Sequence, residues 1–222
     1  MKEIYLLSGL GADKRVFEFL DLSDFKVNHV DWIEPTDSES IESYAQRLLN
    51  QITTDRPIII GVSFGGIMTI EIGKLIETEK LILISSAKTM NDIPIYYRVV
   101  GQLGLNKLIP TWILKNVNPI TYWFFGTKTK KQKDLLKTIL KETENKFLKW
   151  AIDKIVNWDN RTELKNVTTI HGTADRILPF KTADFKVING GHLMIVDKAD
   201  QLNGLLTKQL GDSATNANTV FI

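Results

Sequence analysis

The pentapeptide Gly61-Val62-Ser63-Phe64-Gly65 constrains the fold of this chain more than any other part of its sequence. The apolar run Pro57-Ile58-Ile59-Ile60 leads into it, and apolar residues follow it at helical spacing over 67–76. A strand, a sharp turn and a helix are therefore predicted in succession. Gly61 and Gly65 leave room where the strand and the helix crowd together, and Gly66 leaves further room beside them. Ser63 is predicted in strained backbone, with its hydroxyl raised above the end of the strand.

Strands and helices alternate through the first 87 residues. The apolar patterns predict strands over 4–7, 25–33, 57–62 and 80–85, and helices over 41–52 and 67–76. Continuous apolar runs such as Leu81-Ile82-Leu83-Ile84 are typical of parallel strands that are covered on both faces. Alternating strands and helices imply right-handed crossovers, so an α/β fold with a doubly wound, mostly parallel sheet is expected.

The alternation stops at residue 88 and resumes at residue 162. Strands are predicted over 167–171 and 185–188, which makes six, and a final helix over 199–210. The expected organisation is a core formed by 1–87 and 162–211, a helical insertion over 88–161 and a disordered tail over 212–222. Each aromatic residue of the insertion is expected to pack in the interior, although as a group these residues are expected to leave an apolar entrance.

Lysines are dense near the middle of the insertion, at 128, 130, 131, 133, 137 and 141. We expect them to form the solvated face of a helix. The alternative is a patch that steers an anionic substrate, such as an acyl-CoA, towards the protein.

Composition excludes several classes of function. The chain has 222 residues, 43% of them hydrophobic, and a net charge of +2, which does not favour nucleic acid or an anionic membrane as partner. Because it has no cysteine, it has no disulfide, thiol nucleophile or thiolate metal site. No run approaches the roughly 18 apolar residues of a membrane span, and the first residues lack a signal-peptide pattern. A cytoplasmic monomer or homodimer without cofactor or metal is expected.

A serine hydroxyl needs a base to become a nucleophile, and the base needs an acid that orients it. Of the three histidines, His29 lies within a predicted strand and His171 ends one, where a structural hydrogen bond is the simpler role. His192 follows two glycines after the last strand, so its loop can turn sharply across the sheet end. His192 is therefore the expected base, with a surface loop histidine as the alternative.

The orienting acid is expected on another loop that follows a strand. Asp175 satisfies this requirement because it lies just beyond the strand that ends at His171; a turn-forming or capping aspartate is the alternative. A developing oxyanion also needs donors. The amide of Phe64, at the start of a helix, is one candidate, and the loop Ser8-Gly9-Leu10-Gly11 can supply a second. That loop could equally be only a tight connection from a strand to a helix.

Four segments together resemble the α/β-hydrolase superfamily over residues 1–210. They are Ser8-Gly9-Leu10-Gly11, Gly61 to Gly66, Gly172 to Asp175, and Gly190-Gly191-His192. They are similar to that family's oxyanion loop, nucleophile elbow, acid loop and base loop, in the same chain order. The resemblance implies Ser63 as nucleophile, His192 as base, Asp175 as acid, and the amides of Leu10 and Phe64 as oxyanion donors. It also implies that residues 88–161 form a cap over the site.

Details around the site are similar to the small methylesterase-like and hydroxynitrile-lyase-like members. These details are Pro179 four residues after Asp175, and Leu193 and Met194 after His192. Ser8 stands where the family usually has histidine, and Val62 precedes the serine where histidine is frequent. These two departures leave the three predicted catalytic positions unchanged and weaken any assignment of substrate by analogy.

The leading hypothesis is a serine hydrolase that cleaves a small carboxylic ester or thioester through an acyl-enzyme. A C–C hydrolase or a lyase that uses the same site is the second hypothesis. The third is a catalytically silent receptor that keeps the fold to bind a small molecule.

Overall fold

A computed structural model describes the backbone of residues 2–215 and the side chains of residues 2–211. The described residues form a six-stranded sheet in the order β2-β1-β3-β4-β5-β6, and every neighbouring pair is parallel. The strands are β1 (Glu3–Leu7), β2 (Lys26–His29), β3 (Ile58–Val62), β4 (Lys80–Ile84), β5 (Val167–Gly172) and β6 (Phe185–Val187). The predicted doubly wound sheet and its number of strands are confirmed.

The helices follow the predicted alternation in the core. They are α1 (Ile41–Leu48), α2 (Phe64–Gly73), α3 (Ile95–Gln102), α4 (Leu105–Leu108), α5 (Thr111–Leu114), α6 (Pro119–Phe125), α7 (Lys130–Glu142), α8 (Asn145–Val156), α9 (Met194–Asp197) and α10 (Ala199–Thr215). Short 3₁₀ turns cover Lys14–Phe17 and Leu49–Gln51, so the helix predicted over 41–52 ends as a 3₁₀ turn. The helix after the serine begins three residues earlier than predicted, because Gly65 and Gly66 lie within its first turn.

Side chains that alternate along the strands enter two hydrophobic cores. On β1, Tyr5 and Leu7 enter a core that includes residues of α1, α2 and α8, whereas Ile4 and Leu6 enter one that includes residues of α10. Helix α2 is buried on all sides from Phe64 to Ile72. The rigid sheet and this buried helix fix the position of the turn between them.

Residues 88–161, all of which are described, form the six helices α3–α8 between β4 and β5. The predicted solvated lysine face is confirmed on α7, where Lys130, Lys131, Lys137 and Lys141 are exposed. The expectation that each aromatic residue packs in the interior is wrong for Tyr96, Trp112, Trp123 and Phe124, which are exposed. These four residues lie on α3, α5 and α6, which are only about one or two turns long and each present one side to solvent.

Two further predictions concern the C-terminal end of the chain and membrane-spanning helices. Helix α10 continues to Thr215, beyond the predicted end at residue 210, and the rest of the predicted disordered tail, 216–222, lies outside the described residues. Within the described range, every helix is too short or too polar to cross a membrane.

Candidate active site

Ser63 lies at the turn between β3 and α2 in the backbone conformation that the pentapeptide predicts. Its φ is 53° and its ψ is −120°, a strained combination for a residue with a side chain. Its amide donates to Ile84 O at 2.9 Å, and the hydroxyl of Ser86 donates to Ser63 O at 2.6 Å. The neighbouring chain therefore holds the strained residue in place from two sides.

The glycines around Ser63 are required by close approaches of the backbone. A Cβ on Gly65 would lie 2.2 Å from Leu7 O and 2.3 Å from Ser8 O. A Cβ on Gly61 would lie 2.5 Å from Gly65 O, and one on Gly66 would lie 2.4 Å from the hydroxyl of Ser86. The glycine pattern is thus explained by the crossing of β1, β3 and α2.

The two loops that carry Asp175 and His192 pack directly against each other beyond β5 and β6. A Cβ on Gly172 would lie 2.2 Å from Gly190 O, and the amide of Ala174 donates to the same oxygen at 2.9 Å. Only glycine at position 172 allows this contact. The contact brings the acid loop and the base loop to the same edge of the sheet as Ser63.

Ser63, His192 and Asp175 form a continuous line of hydrogen bonds. His192 Nε2 lies 2.8 Å from Ser63 Oγ, and His192 Nδ1 lies 2.8 Å from Asp175 Oδ2. Because a carboxylate only accepts hydrogen bonds, Nδ1 carries the proton and Nε2 is the acceptor that faces the serine hydroxyl. The structure therefore brings together the three side chains singled out in the sequence.

Asp175 is buried but remains strongly acidic. Burial alone would raise its pKa, but His192, the hydrogen bonds from the two histidines and the amide of Leu178 together lower the pKa well below its ordinary value. Its Oδ1 accepts from the amides of Ile177 and Leu178, both at 2.9 Å. The carboxylate is therefore charged at neutral pH and held in a single orientation beside the imidazole.

His171 contacts the acid, which the sequence did not indicate. Its Nε2 lies 2.8 Å from Leu178 O and 3.3 Å from Asp175 Oδ2, so the protonated nitrogen can donate to both. Burial lowers the pKa of His171, but Asp175 and Leu178 O outweigh burial and raise it above the ordinary value. The structural hydrogen bond expected of His171 is present, and the same nitrogen also borders the Ser63–His192–Asp175 line.

The loop after β1 places a second free amide near Ser63. Among the described residues neither the amide of Leu10 nor that of Phe64 has a hydrogen-bond acceptor, and Phe64 begins α2, where amides lack intrahelical partners. An added Cβ on Gly9 would lie 3.4 Å from Ser63 Cβ, so this loop passes directly beside the serine. The two amides are thus available where the sequence predicted oxyanion donors.

Ser8, which replaces the histidine usual in the resembling family, organises this loop from inside. Its hydroxyl donates to Ala12 O at 2.5 Å and accepts from Trp32 Nε1 at 3.0 Å. Gly11 has a φ of +67°, and a Cβ there would lie 1.8 Å from Thr143 Oγ1. The loop is therefore fixed by Trp32 on one side and by the junction between α7 and α8 on the other.

An apolar cavity of about 130 Å³ opens at the serine hydroxyl. Its wall contains Ser63, His192, Gly9 and Leu10, and apolar residues of α6, α7 and α8, among them Phe125, Leu136, Leu140 and Ile155. No charged side chain lines it in the described part of the chain. The cavity therefore favours an uncharged, apolar group beside Ser63.

The described residues contain no group of three or more histidine, aspartate or glutamate side chains placed as metal ligands. No feature of the site identifies residues that would hold a cofactor.

No protein family model and no curated protein matches this chain in sequence. In structure it is similar to a carboxylesterase from Nitrososphaera gargenis, with a TM-score of 0.69, 14% identity, and coverage of 97% of this chain and 92% of the other. An enol-lactonase from Burkholderia xenovorans gives a TM-score of 0.66 at 16% identity, with coverage of 95% and 91%. A bromoperoxidase from Bacillus anthracis gives a TM-score of 0.66 at 14% identity, with coverage of 95% of this chain and 92% of the other.

These structures are α/β-hydrolases, and the likeness covers nearly the whole chain. The protein therefore has the α/β-hydrolase fold, as the resemblance in its sequence implied. At identities of 14% and 16% the likeness establishes the fold alone, so the activity has to be argued from the site.

Proposed function

We propose that the protein is a serine hydrolase that cleaves a small carboxylic ester or thioester through an acyl-enzyme. The observation that carries this proposal is the line of two 2.8 Å hydrogen bonds from Asp175 through His192 to Ser63 Oγ, which ends at an apolar cavity. In this proposal Ser63 is the nucleophile, His192 the general base and Asp175 the orienting acid.

The proton movements follow from the hydrogen bonds. His192 Nε2 accepts the proton of Ser63 Oγ while this oxygen attacks the carbonyl carbon of the ester, and Asp175 stabilises the imidazolium that forms. The imidazolium then gives the proton to the leaving alcohol or thiol, which leaves Ser63 acylated. Water loses a proton to the same Nε2 as it attacks the acyl group. The imidazolium then returns this proton to Ser63 Oγ as the bond to the acyl carbon breaks, which releases the acid and regenerates both side chains.

The amides of Leu10 and Phe64 are the proposed donors to the oxyanion. Both are free of acceptors among the described residues, and both are fixed by neighbouring structure before any substrate binds. Fixed donors stabilise the developing charge without having to reorient during the reaction, and removal of one such donor typically costs about 10²–10³ in kcat.

The proposed substrate is an uncharged ester with a small to medium apolar group. The cavity of about 130 Å³ has no charged lining in the described chain, and an unpaired charge would be costly to bury there. Residues 88–161 are the proposed cap, because helices α6, α7 and α8 all contribute side chains to the cavity wall.

A panel of p-nitrophenyl esters with acyl chains of increasing length tests this proposal. We expect turnover of esters with short and medium acyl chains, and labelling by a fluorophosphonate probe. In Ser63→Ala, kcat should fall by about 10⁴-fold or more, and labelling should be lost. Ser63→Ala should keep the circular dichroism spectrum and the Tm of the wild type.

Three outcomes would contradict this proposal in different ways. Wild-type turnover in Ser63→Ala would exclude Ser63 as nucleophile. Absence of probe labelling in the wild type would favour the silent receptor. A higher kcat/KM for a succinate half-ester or an acyl-CoA than for a neutral butyrate ester would exclude the apolar-substrate assignment, and would favour the lysine patch on α7 as a steering surface.

A further inference from the structure

Large apolar side chains are exposed in one part of the molecule. Thirteen such side chains are exposed among the described residues, and all except Leu75 and Ile188 lie between Ile95 and Phe124. Leu108 has 76% of its surface exposed, and Ile120 has 67%. A concentration of this kind marks an interaction surface, because single exposed apolar residues are otherwise scattered.

The exposed residues follow the helical repeat. Ile95, Val99 and Leu103 are spaced four apart on and just after α3, so they share one face. On α6, Ile120 and Trp123 are three apart and lie on one face as well. Helices α3, α4 and α5 all pack on α8, which leaves their apolar faces uncovered. We call the exposed side of α3–α6 the α3–α6 face.

The charges of this segment are all of one sign. Residues 93–133 contain seven lysines or arginines and no aspartate or glutamate. None of the seven forms an ion pair with any described residue, in contrast to Arg15, Arg47 and Lys146 elsewhere in the chain. The net charge of +2 therefore averages a basic segment with a more acidic remainder.

The α3–α6 face adjoins the candidate active site. Phe125, the last residue of α6, lines the cavity, and its ring centroid lies 5.8 Å from that of His192. Arg176, next to Asp175 in the acid loop, donates to Trp123 O at 2.9 Å and places its guanidinium 4.4 Å from the centre of the Trp123 ring. Helix α6 thus runs from the exposed surface to the imidazole.

We propose that the α3–α6 face docks on an anionic lipid bilayer, with its apolar side chains in the interface and its lysines and arginines on the lipid headgroups. Amphipathic helices with basic and apolar residues bind membrane interfaces by this combination of burial and charge attraction. Docking would orient the mouth of the cavity towards the lipid. If the proposed function holds, an apolar ester could then pass from the bilayer to Ser63 without crossing bulk water.

Charge argues for a bilayer and against a second copy of this chain. A symmetric dimer through the α3–α6 face would bring the same basic segment of both copies together, with no acidic side chain in either segment to pair with it. An anionic lipid surface instead attracts the cations that border the α3–α6 face, such as Lys107 and Lys128, and accepts its apolar side chains.

Co-sedimentation with vesicles tests the docking separately from hydrolysis. The parent protein is Ser63→Ala, so that no ester in the assay is consumed. We expect it to bind vesicles of equimolar phosphatidylcholine and phosphatidylglycerol at least about tenfold more tightly than vesicles of phosphatidylcholine alone. Binding should weaken with added salt, and brominated lipid should quench the fluorescence of Trp112, which is exposed on α5.

Two pairs of double variants locate the surface. In the Ser63→Ala parent, Leu108→Ser with Ile120→Ser, or Lys107→Glu with Lys128→Glu, should each weaken binding about tenfold. The matched controls are Leu75→Ser with Ile188→Ser, and Lys165→Glu with Lys208→Glu, which change exposed residues of the same types elsewhere. Both controls should bind like the parent.

Several results would overturn the proposal. One is equal binding of the parent to both kinds of vesicle, and another is an equal loss of binding in test and control variants. Loss of binding in the charge variant alone would exclude insertion of the apolar side chains. A dimer of the parent that becomes monomeric with Leu108→Ser and Ile120→Ser would assign the face to self-association. Failure of ester hydrolysis by the wild type would leave the vesicle results unaffected, so the two proposals are tested independently.

Discussion

The turn around Ser63 and the α3–α6 face are both rich in apolar residues, but they differ in what surrounds them. At the turn, each unusual feature has a partner within the chain: Gly65 lies against Leu7 O, and Ser63 O accepts from Ser86. On the α3–α6 face, Leu108 and Trp112 face solvent, and none of the neighbouring lysines and arginines forms an ion pair with a described residue, unlike Arg15 with Glu142. Internal packing thus accounts for the residue types at the turn and leaves those of the α3–α6 face to an external partner.

The largest expected effect is a loss of kcat that distinguishes His192 from His171, the two histidines in contact with Asp175. His192→Ala should lower kcat by about 10⁴-fold, nearly as much as loss of Ser63, because no other group can accept the serine proton. His171→Ala should mainly lower stability, by about 1–3 kcal/mol, because Leu178 O loses its buried donor. The measurements are kcat with a p-nitrophenyl ester and the Tm of both variants.

His171→Gln is the matched control, since its amide can still donate to Leu178 O. It should recover most of the stability that His171→Ala loses. If His171→Ala instead lost kcat as completely as His192→Ala at an unchanged Tm, the assignment of the base would be reversed.

The packing of the turn is tested by glycines in opposite surroundings. Gly65→Ala would place a Cβ 2.2 Å from a backbone oxygen, so we expect a loss of at least about 3 kcal/mol in the free energy of unfolding, or no folded protein. In Gly204→Ala, within α10, the added Cβ meets nothing within 4 Å. That variant should gain about 0.5–1 kcal/mol, because alanine favours a helix over glycine.

Denaturant unfolding of both glycine variants gives these values. Similar stabilities of Gly65→Ala and the wild type would show that the strand and the helix can separate at the turn, and would remove the reason for the strained Ser63.

The pH dependence should distinguish the base from its neighbours. The base accepts a proton only when it is neutral, so kcat/KM should rise as the pH is raised from acid, by about tenfold per pH unit on the acidic limb of the profile, and should then level off. The lowered pKa of Asp175 keeps its carboxylate ionised there; its contribution to stability is present above about pH 4 and is lost only as the pH falls further. A kcat/KM that falls as the pH is raised from acid would contradict a base that must be neutral to act.

The contribution of His171 to the stability of the fold should decrease as the pH rises, opposite to that of Asp175. Its pKa is raised in the folded state, so this histidine stabilises the fold below the ordinary pKa of about 6.5, and the contribution is lost as pH rises through the folded-state value. The difference in unfolding free energy between wild type and His171→Gln should therefore shrink from pH 5.5 to pH 9. A difference that grows with pH would contradict the raised pKa.

The smallest expected effect is on the α3–α6 face. Leu108→Ser should change the free energy of unfolding by no more than about 0.5 kcal/mol and leave kcat/KM for a water-soluble ester unchanged, because the side chain contributes little to the interior. Phe125→Ala, on the same set of helices but in the cavity wall, should change KM for the same ester. Equal effects of the two substitutions would remove the distinction between the outer and inner sides of these helices.

Much of the sheet and of the candidate site could be predicted from consecutive residues. The apolar runs before and after Ser63 predict β3 and α2. The glycine spacing predicts that the strand and the helix approach closely, and an added Cβ on Gly61 or Gly65 would indeed collide with neighbouring backbone. Asp175 and His192 were indicated by their positions just beyond strands, because the carboxyl ends of parallel strands share one edge of the sheet. Their catalytic roles, and those of Leu10 and Phe64, remain predictions.

The sequence by itself therefore determined the features that depend on local backbone geometry: strands, the strained turn, and the loops that return to one edge of the sheet. Tertiary structure alone decided that His171 reaches Asp175, that Ser8 holds Trp32, and that Trp112 and Trp123 face solvent. The physical reason is that burial and hydrogen-bond partners are contributed by residues distant in the chain. An aromatic residue on a short helix has the same local pattern whether a neighbouring helix covers it or leaves it exposed.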